Sequence, residues 1–530
     1  MAVIITNIKA SVSEKSESVI KKGLKKAGIV NSDTVKTGIY KTSLDARKQE
    51  NIHFVHSVYA ELSDERAEKR LCEKNKECQY IESSFRKPVI SKDGYKGRIA
   101  ITGFGPAGLF CALVLSENGY KPIVFERGES IDERAVSVNS FWNGGSLNTS
   151  SNVQFGEGGA GTFSDGKLTT RIKDPFCRYV LECFSEHGAP DEILTKAKPH
   201  IGTDKLRSVI KSIRSKIIEN GGEVHFNTTV TGFETCNGKI TSVKTTKGVF
   251  QAAAVVLAVG NSARDTFEML FSSNILMQPK PFSVGVRIEH LQRDVDESLY
   301  GKYMDNPFLP VGEYQLSYRD REGRGVYTFC MCPGGTVVPS SSEENSVVTN
   351  GMSEFARDGK NANAAIAVSV SERDFGSSPL DGMNFARTIE KRAFELAGRD
   401  YKAPGTTVGG FMNDKPTLES CITPTFARGL KECDFNSLFD EKINEMLKTG
   451  LQDFGRKMRC FNDKNAVMTA PETRTSSPLR ILRNEEMISP SLSNLYPCGE
   501  GAGYAGGIMS AAVDGINAAY KIMENYSPEK

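Results

Sequence analysis

The sequence predicts a mixed α/β protein built around a doubly wound parallel sheet. Three observations predict it. A strand, glycine turn, helix and second strand follow one another from residue 98, and a second glycine-rich turn opens a helix near residue 507. Between them lies a long, loop-rich stretch of different texture. At 530 residues the chain has room for two or three folded units. Its 39% hydrophobic and 25% charged residues suit a folded, soluble chain and not a disordered one. Lys+Arg 67 against Asp+Glu 65 leaves a net charge of +2, so no global field holds a polyanion such as nucleic acid.

Residues 1–88 read as a small N-terminal α/β domain of ferredoxin-like type. Ile52, Phe54 and Val58 alternate as in a half-buried strand, and Val19, Ile20 and Leu24 keep helical spacing before Gly28. This stretch carries about five more basic than acidic residues. A solvated helix face is the favoured reading, with an RNA or phosphate surface as the second. Residues 91–97, polar and glycine-containing, read as a linker.

The parallel unit comes next. Residues 98–102 form a short strand, Gly103-Phe104-Gly105-Pro106-Ala107-Gly108 the turn, and Leu109, Ala112 and Leu113 one face of a helix that stops near Asn118-Gly119. Residues 122–126 are the second strand, which makes a right-handed parallel unit. Asp204 is expected to cap a helix carrying Leu206, Val209, Ile210, Ile213 and Ile217, and strands follow at 224–230 and 253–259. Residues 96–280 are thus the first part of the dinucleotide domain, 281–470 an inserted mixed α+β substrate domain, and 471–530 the returning part. That last part holds a strand at 494–497 and a helix at 507–523.

A lone G-x-G-x-x-G says little, but here a strand precedes it, a helix follows and a second strand ends in an acid. Gly103 permits the tight turn, Gly105 lets the backbone approach a pyrophosphate, and Gly108 lets the helix lie close on the sheet. Glu126, 23 residues after Gly103, stands where a carboxylate accepts both ribose hydroxyls of an adenosine. The helix N-terminus offers free N–H groups and about half a positive charge to the phosphates. NAD and FAD share this turn, and the tail decides between them. In Gly499-Glu500-Gly501-Ala502-Gly503-Tyr504-Ala505-Gly506-Gly507-Ile508 an acid follows a strand and a glycine pair opens a helix, suited to the N1–C2=O edge of an isoalloxazine. The sequence therefore points to FAD.

Other glycine strings lead elsewhere. Gly156-Glu157-Gly158-Gly159-Ala160-Gly161 repeats the spacing, yet no apolar helix follows it. Gly161 to Lys167 fits most of a P-loop, but Leu168 stands where the magnesium-binding hydroxyl belongs. Gly161 to Gly166 is one residue too long for a nucleophile elbow. The stretch reads as a loop against the cofactor, with Lys167 a cation within reach of phosphate, substrate or flavin. Arg474, in a Thr/Ser-rich loop, meets either an anionic substrate group or a domain-clamping carboxylate. His290 reads as a satisfied structural histidine. Cys332 reads as a small buried hydrophobe, although it neighbours Cys330.

These residues resemble a family. The turn at 103–108 with Glu126-Arg127-Gly128, the long run 151–168, Lys280-Pro281-Phe282-Ser283-Val284-Gly285-Val286-Arg287, Glu472-Thr473-Arg474-Thr475-Ser476-Ser477-Pro478 and the 499–508 tail are similar to the uncharacterised FAD-dependent dehydrogenases and oxidoreductases. These are glutathione-reductase-like, aminoacetone-oxidase-like flavoproteins. The likeness covers nearly all the chain. It implies a Rossmann-like, glutathione-reductase-type FAD domain in two pieces, FAD itself and an inserted substrate domain, and no particular substrate. By it, Gly103, Gly105, Pro106, Ala107, Gly108, Glu126 and Arg127 line the ADP half, with Gly158, Gly159, Ala160 and Thr162 beside them. The Val230 backbone reaches adenine, Ala258 and Gly260 close over the phosphates, Gly499 and Glu500 meet the ribityl chain, and Gly506, Gly507 and Ile508 face the pyrimidine edge. Glu500 departs from the Asp that relatives of the wider group carry.

The expected activity is hydride transfer between flavin N5 and a small organic substrate. The electrons come from NAD(P)H, a redox protein or the substrate itself, since no second strand–G-x-G-x-x-G–helix unit binds a nicotinamide nucleotide. No Cys lies between Glu126 and Lys167, which argues against the usual thiol–disulfide relay of this fold. An RNA-modifying flavoprotein and a flavin-binding module without turnover are the alternatives. The start of the chain lacks the basic flank and length of a secretory signal, no window of about 18 apolar residues exists, and the 12 cysteines are scattered. A cytoplasmic protein with reduced thiols, without metal, is expected.

Overall fold

The computed structural model of the protein describes residues 2–30, 33–81, 87–92 and 94–528. Five strands form its central sheet. Leu495–Pro497, Ala254–Leu257, Ile99–Thr102, Ile123–Phe125 and Glu223–His225 lie side by side in that order, every pair parallel. Both faces are covered, which is why these strands read as unbroken apolar runs. Ile99 and Ile101 join the core under the helices Pro106–Glu117, Thr203–Glu219 and Ile508–Asn525. Ala100, between them, faces the opposite core, shared with the antiparallel strands Val230–Cys236 and Lys239–Thr245.

Two local expectations fail here for long-range reasons. The stretch 224–230 is not one strand: Asn227 adopts φ 52 and breaks it, so Glu223–His225 joins the parallel sheet and Val230–Cys236 the antiparallel one. Asparagine tolerates this left-handed conformation better than most residues. Asp204 does not cap its helix. Gly202 holds the cap position, and the Asp204 carboxylate instead accepts the Phe355 amide of the inserted domain at 2.8 Å.

The chain leaves the dinucleotide domain along Phe282–Leu291, the central strand of a seven-stranded sheet. The order is Ser317–Arg319, Gly325–Cys332, Asn361–Val370, Phe282–Leu291, Val467–Glu472, Ala403–Thr407 and Leu430–Glu432; only the last pair is parallel. Helices Asp381–Leu396 and Glu441–Lys457 bury apolar stripes on its core. The return strand Val467–Glu472 pairs directly with the departure strand, Gly285 opposite Glu472.

Residues 2–81 form a four-stranded antiparallel sheet in the order Thr34–Asp45, His53–Leu62, Ala2–Ala10, Cys78–Ile81, with two helices. This is the split β-α-β arrangement. Val3, Ile5, Val19, Leu24 and Val58 are its core. It docks on the larger body: the Thr42 amide donates to Thr195 O at 2.7 Å, and Gln49 Nε2 to Ser298 O at 3.2 Å. The expected linker is tied down at two described residues, since the Ser91 amide donates to Met523 O and the Tyr95 amide to Asn525 O. Among the described residues no helix is long and apolar enough to cross a membrane, no His/Cys/Asp/Glu group could hold a metal, and all twelve cysteines are free thiols.

Candidate functional site

The site begins where strand Ile99–Thr102 runs into its turn. Gly103 has φ +96, and a Cβ on it would stand 2.6 Å from Ala258 O, so no side chain fits. A Cβ on Gly108 would stand 2.0 Å from Gly103 O, which lets the helix start directly on the strand end. Gly105 is its N-cap and Pro106 its first residue. Proline carries no N–H, so the Ala107 and Gly108 amides are the first orphan donors of the helix. The Leu109 amide, donating to Gly105 O at 2.9 Å, makes the first rung.

Glu126 closes the turn from the next strand. One carboxylate oxygen accepts the Phe104 amide at 2.8 Å, and the other accepts the Gly128 and Gly156 amides, both at 3.0 Å. A carboxylate has about four acceptor positions. Three are filled by backbone, which leaves one open toward a ribose hydroxyl. Arg127 is engaged as well: it pairs with Asp265 at 2.8 Å and lies 4.4 Å over the Phe155 ring. Val230 lies close by, because the Thr228 amide donates to Glu126 O at 2.9 Å.

The glycine loop 156–161 lies over this turn. The Gly158 amide donates to Phe104 O at 2.9 Å, and a Cβ on Gly159 would stand 3.0 Å from Gly105 Cα. Ala160 opens the short turn Ala160–Phe163, where Thr162 donates to Glu157 O at 3.2 Å. Fully buried Arg134 sets the loop, donating to Asn152 O at 2.9 Å, Val153 O at 3.1 Å and Glu157 O at 2.6 Å. Such backbone contacts explain why sequence patterns did not single this arginine out.

The second glycine turn arrives at the same place. A Cβ on Gly499 would stand 2.8 Å from Ala107 Cβ, one on Gly501 2.0 Å from Val259 O, and one on Gly161 2.9 Å from Ile508. Glu500 accepts from Asn261 Nδ2 at 3.0 Å, while the same amide nitrogen donates to Arg474 O at 3.3 Å. Burial pushes the Glu500 carboxyl up to about 7, against the opposing effects of the Gly507 amide and the Lys280 ammonium. Gly507 is the N-cap of helix Ile508–Asn525. The two helix N-termini therefore open onto one region, with Gly260 at its edge.

Both candidate catalytic cations are held within the protein. Lys167 contacts the Asp165 carboxylate at 2.6 Å and donates to Met331 O; its side chain keeps 28% exposure. Burial opposes its charge most strongly, but Asp165 together with the Cys332 and Cys330 sulfurs outweighs it and holds its pKa above the usual value. Arg474 is engaged as well. Its guanidinium meets Glu390 at 3.1 and 3.2 Å and Ser342 Oγ at 2.5 Å, in a cluster shared with Arg264, which holds Glu390 at 2.7 Å. Despite complete burial, Arg264 and Arg474 hold the Glu390 carboxyl down to about 2. Arg474 is thus the domain clamp, one of the two roles its loop allowed. His290 is buried between Tyr314 and Phe461, and burial lowers its pKa to about 4, so it stays neutral.

FAD fits the residues present. Cβ positions on Gly260, Gly506 and Gly507 meet nothing within 4 Å, and one on Gly105 meets only Gly159 Cα at 3.8 Å, so backbone lines open space at both helix ends. Glu126 adds one free acceptor position, and Ala107 and Gly108 add orphan amides.

Comparison with known proteins agrees. Residues 281–475 match the family model described as FAD-dependent protein, C-terminal domain-like. Over 536 aligned residues the chain is 44% identical to an uncharacterized protein of Clostridium beijerinckii (strain ATCC 51743 / NCIMB 8052), with 100% of each chain covered. Solved structures offer only remote likenesses. NikD, an amino acid oxidase of nikkomycin biosynthesis, is 12% identical with a TM-score of 0.37, covering 81% of this chain and 95% of its own. CtdE, solved in complex with FAD, is 13% identical with a TM-score of 0.30, covering 79% and 82%.

Proposed function

The chain belongs to the same family as the Clostridium beijerinckii protein and carries the C-terminal domain of FAD-dependent proteins, and from these premises we propose that it is an FAD-dependent oxidoreductase acting on a small organic substrate. The substrate sits between the dinucleotide domain and the 281–475 domain, and a hydride passes between it and flavin N5. The observation that carries this reading is the contact of Gly499 with Ala107, which brings the second glycine turn onto the helix start beside the Glu126 turn.

FAD supplies the two-electron chemistry when bound. The chain supplies position and charge. The Ala107 and Gly108 amides, with about half a positive charge at their helix end, draw and fix the phosphates. Glu126 orients a ribose through its one remaining acceptor position. At the other end Gly507 and Ile508 present a second positive helix end to the pyrimidine edge, where negative charge is best tolerated. Glu500 holds or releases a proton at its carboxyl near neutral pH, because burial has pushed it up to about 7. The electron donor is NAD(P)H docking transiently, a redox protein, or the substrate.

The test is direct. The purified protein is yellow, with flavin absorption bands that bleach under dithionite; colourless protein that takes up no FAD on reconstitution refutes the proposal.

A further inference from the structure

Cys330 and Cys332 stand at the end of strand Gly325–Cys332, where the inserted domain meets the dinucleotide domain. In a regular strand, residues two apart share a face with their Cα atoms roughly 6.6–6.8 Å apart, near the outer limit that a disulfide spans. This strand is not regular. Phe329 lies opposite Ala365 and Cys332 opposite Asn363, three steps against two, which is a β-bulge. Cys330 takes the extra place at φ 42, a conformation that a non-glycine residue keeps only when its surroundings enforce it. They do: Arg287 Nη1 donates to Cys330 O at 2.9 Å, and the Lys167 ammonium donates to Met331 O.

The bulge folds Cys332 back on its neighbour: Cys332 Sγ donates to Cys330 O at 3.4 Å. Their surroundings differ. Cys332 is fully buried and Cys330 partly exposed. The hydrogen bond from Cys332, helped by the Arg287 and Lys167 cations, holds Cys330 well below the usual thiol range despite burial. The same hydrogen bond and burial drive Cys332 well above it. Cys330 is thus the more acidic and more exposed of the two sulfurs and Cys332 the buried one, the division of labour found in reactive cysteine pairs. Cys330 also raises the Glu500 carboxyl electrostatically, and Glu500 contacts the Gly507 helix end. Lys167, which donates to Met331 O between the two cysteines, follows the 156–161 glycine loop, so the pair stands beside the candidate cofactor site.

We propose that Cys330 and Cys332 are a redox-active dithiol that reduces disulfide-bearing substrates and is itself renewed by the flavin. The Cys330 thiolate attacks one sulfur of a substrate disulfide, forms a mixed disulfide and releases the first substrate thiolate. Cys332, giving up its proton, attacks Cys330 Sγ; the mixed disulfide breaks, the second substrate thiolate leaves, and a 330–332 disulfide remains. Reduced FAD then returns two electrons and two protons, breaking the S–S bond and restoring two S–H bonds. A ring closed over a single intervening residue is strained, and strained disulfides are the readily reduced ones. The renewal step rests on the FAD reading above; the dithiol–disulfide couple does not.

The full chain, as purified, is equilibrated anaerobically across ratios of oxidised to reduced dithiothreitol, quenched with N-ethylmaleimide and digested with trypsin. Peptide 325–357 contains both cysteines and no others. It is expected to pass in one two-electron transition from a doubly alkylated form to an unalkylated form two hydrogens lighter, while Cys330→Ser and Cys332→Ser each retain one alkylated thiol at every ratio. A peptide that stays doubly alkylated throughout overturns the couple. In the FAD-loaded protein, Cys332→Ser is expected to show a long-wavelength charge-transfer absorbance from the Cys330 thiolate that Cys330→Ser lacks, and reduced flavin is expected to regain its oxidised spectrum as the disulfide is consumed. A flavin spectrum indifferent to the disulfide overturns the renewal step. Protein that takes up no FAD overturns the FAD reading, and the peptide transition distinguishes that failure from failure of the dithiol.

Discussion

Ala107 and Gly499 touch across the seam between the first and last pieces of the dinucleotide domain. A Cβ on Gly499 would lie 2.8 Å from Ala107 Cβ, and one on Gly515, two helical turns into Ile508–Asn525 from its start, would lie 2.1 Å from Ala107 O. Both distances are shorter than any real carbon contact, so the two helices can approach this closely only over small residues.

Gly515→Ala is therefore expected to push these helices apart. Its methyl meets backbone that cannot rotate away, and overpacking of this kind costs about 1–3 kcal/mol. Denaturant unfolding should report the loss, together with weaker FAD retention on gel filtration.

Glu126→Gln should weaken FAD binding. The amide oxygen still accepts on one side, but the NH2 turns a donor toward either the Phe104 N–H or the Gly128 and Gly156 N–H groups that now find a carboxylate oxygen. Loss of a hydrogen bond to a charged group is worth roughly 1.5–3 kcal/mol, or about ten- to hundred-fold in Kd. Titration of the apoprotein by flavin fluorescence quenching measures it, and unchanged affinity contradicts the assigned position.

Glu390→Gln should loosen the inserted domain. It leaves Arg264 and Arg474 buried with Glu343 as their one remaining shared anion, which costs at most the roughly 3–5 kcal/mol of a broken buried pair. The wild type also predicts a pH window. Glu390 is held down to about 2 from 4.5, so its contribution is complete above about 4.5 and is lost as pH falls toward 2. Acid unfolding followed by circular dichroism should show the wild type losing stability through this window faster than Glu390→Gln.

Glu500 predicts a titration at the opposite end of the range. Its raised pKa favours the protonated folded state, so its contribution is largest below the ordinary carboxylate range and declines as pH rises through about 7. The visible spectrum of the FAD-loaded protein should shift with a midpoint near 7, and Glu500→Gln should abolish the shift.

What the sequence could reveal follows the range of the forces involved. The turn at 103–108 was legible because its backbone excludes a Cβ at Gly103 and Gly108, which restricts residue type locally. The tail was legible for the same reason. Arg474 was legible only as two alternatives, because its partner Glu390 lies 84 residues away in the inserted domain and Arg264, which shares that partner, lies in the first part of the dinucleotide domain, with no local period to betray the cluster. Asp204 misled through the same blindness: a capping preference is local, and the Phe355 amide that takes its carboxylate is not. Cys332 read as a small buried hydrophobe in preference to a reactive thiol, because the bulge that sets it against Cys330 depends on pairing with a strand more than thirty residues away.

The place of Leu495–Pro497 beside Ala254–Leu257 also governs biosynthesis. A nascent chain exposes Ala254–Leu257 as an open sheet edge for the whole time that the ribosome takes to make the intervening domain, some 240 residues. Premature termination or proteolysis within that interval yields a product with a sticky, unpaired border. A full-length chain conceals it only at the last moment, when the helix that completes the cofactor cradle is also delivered.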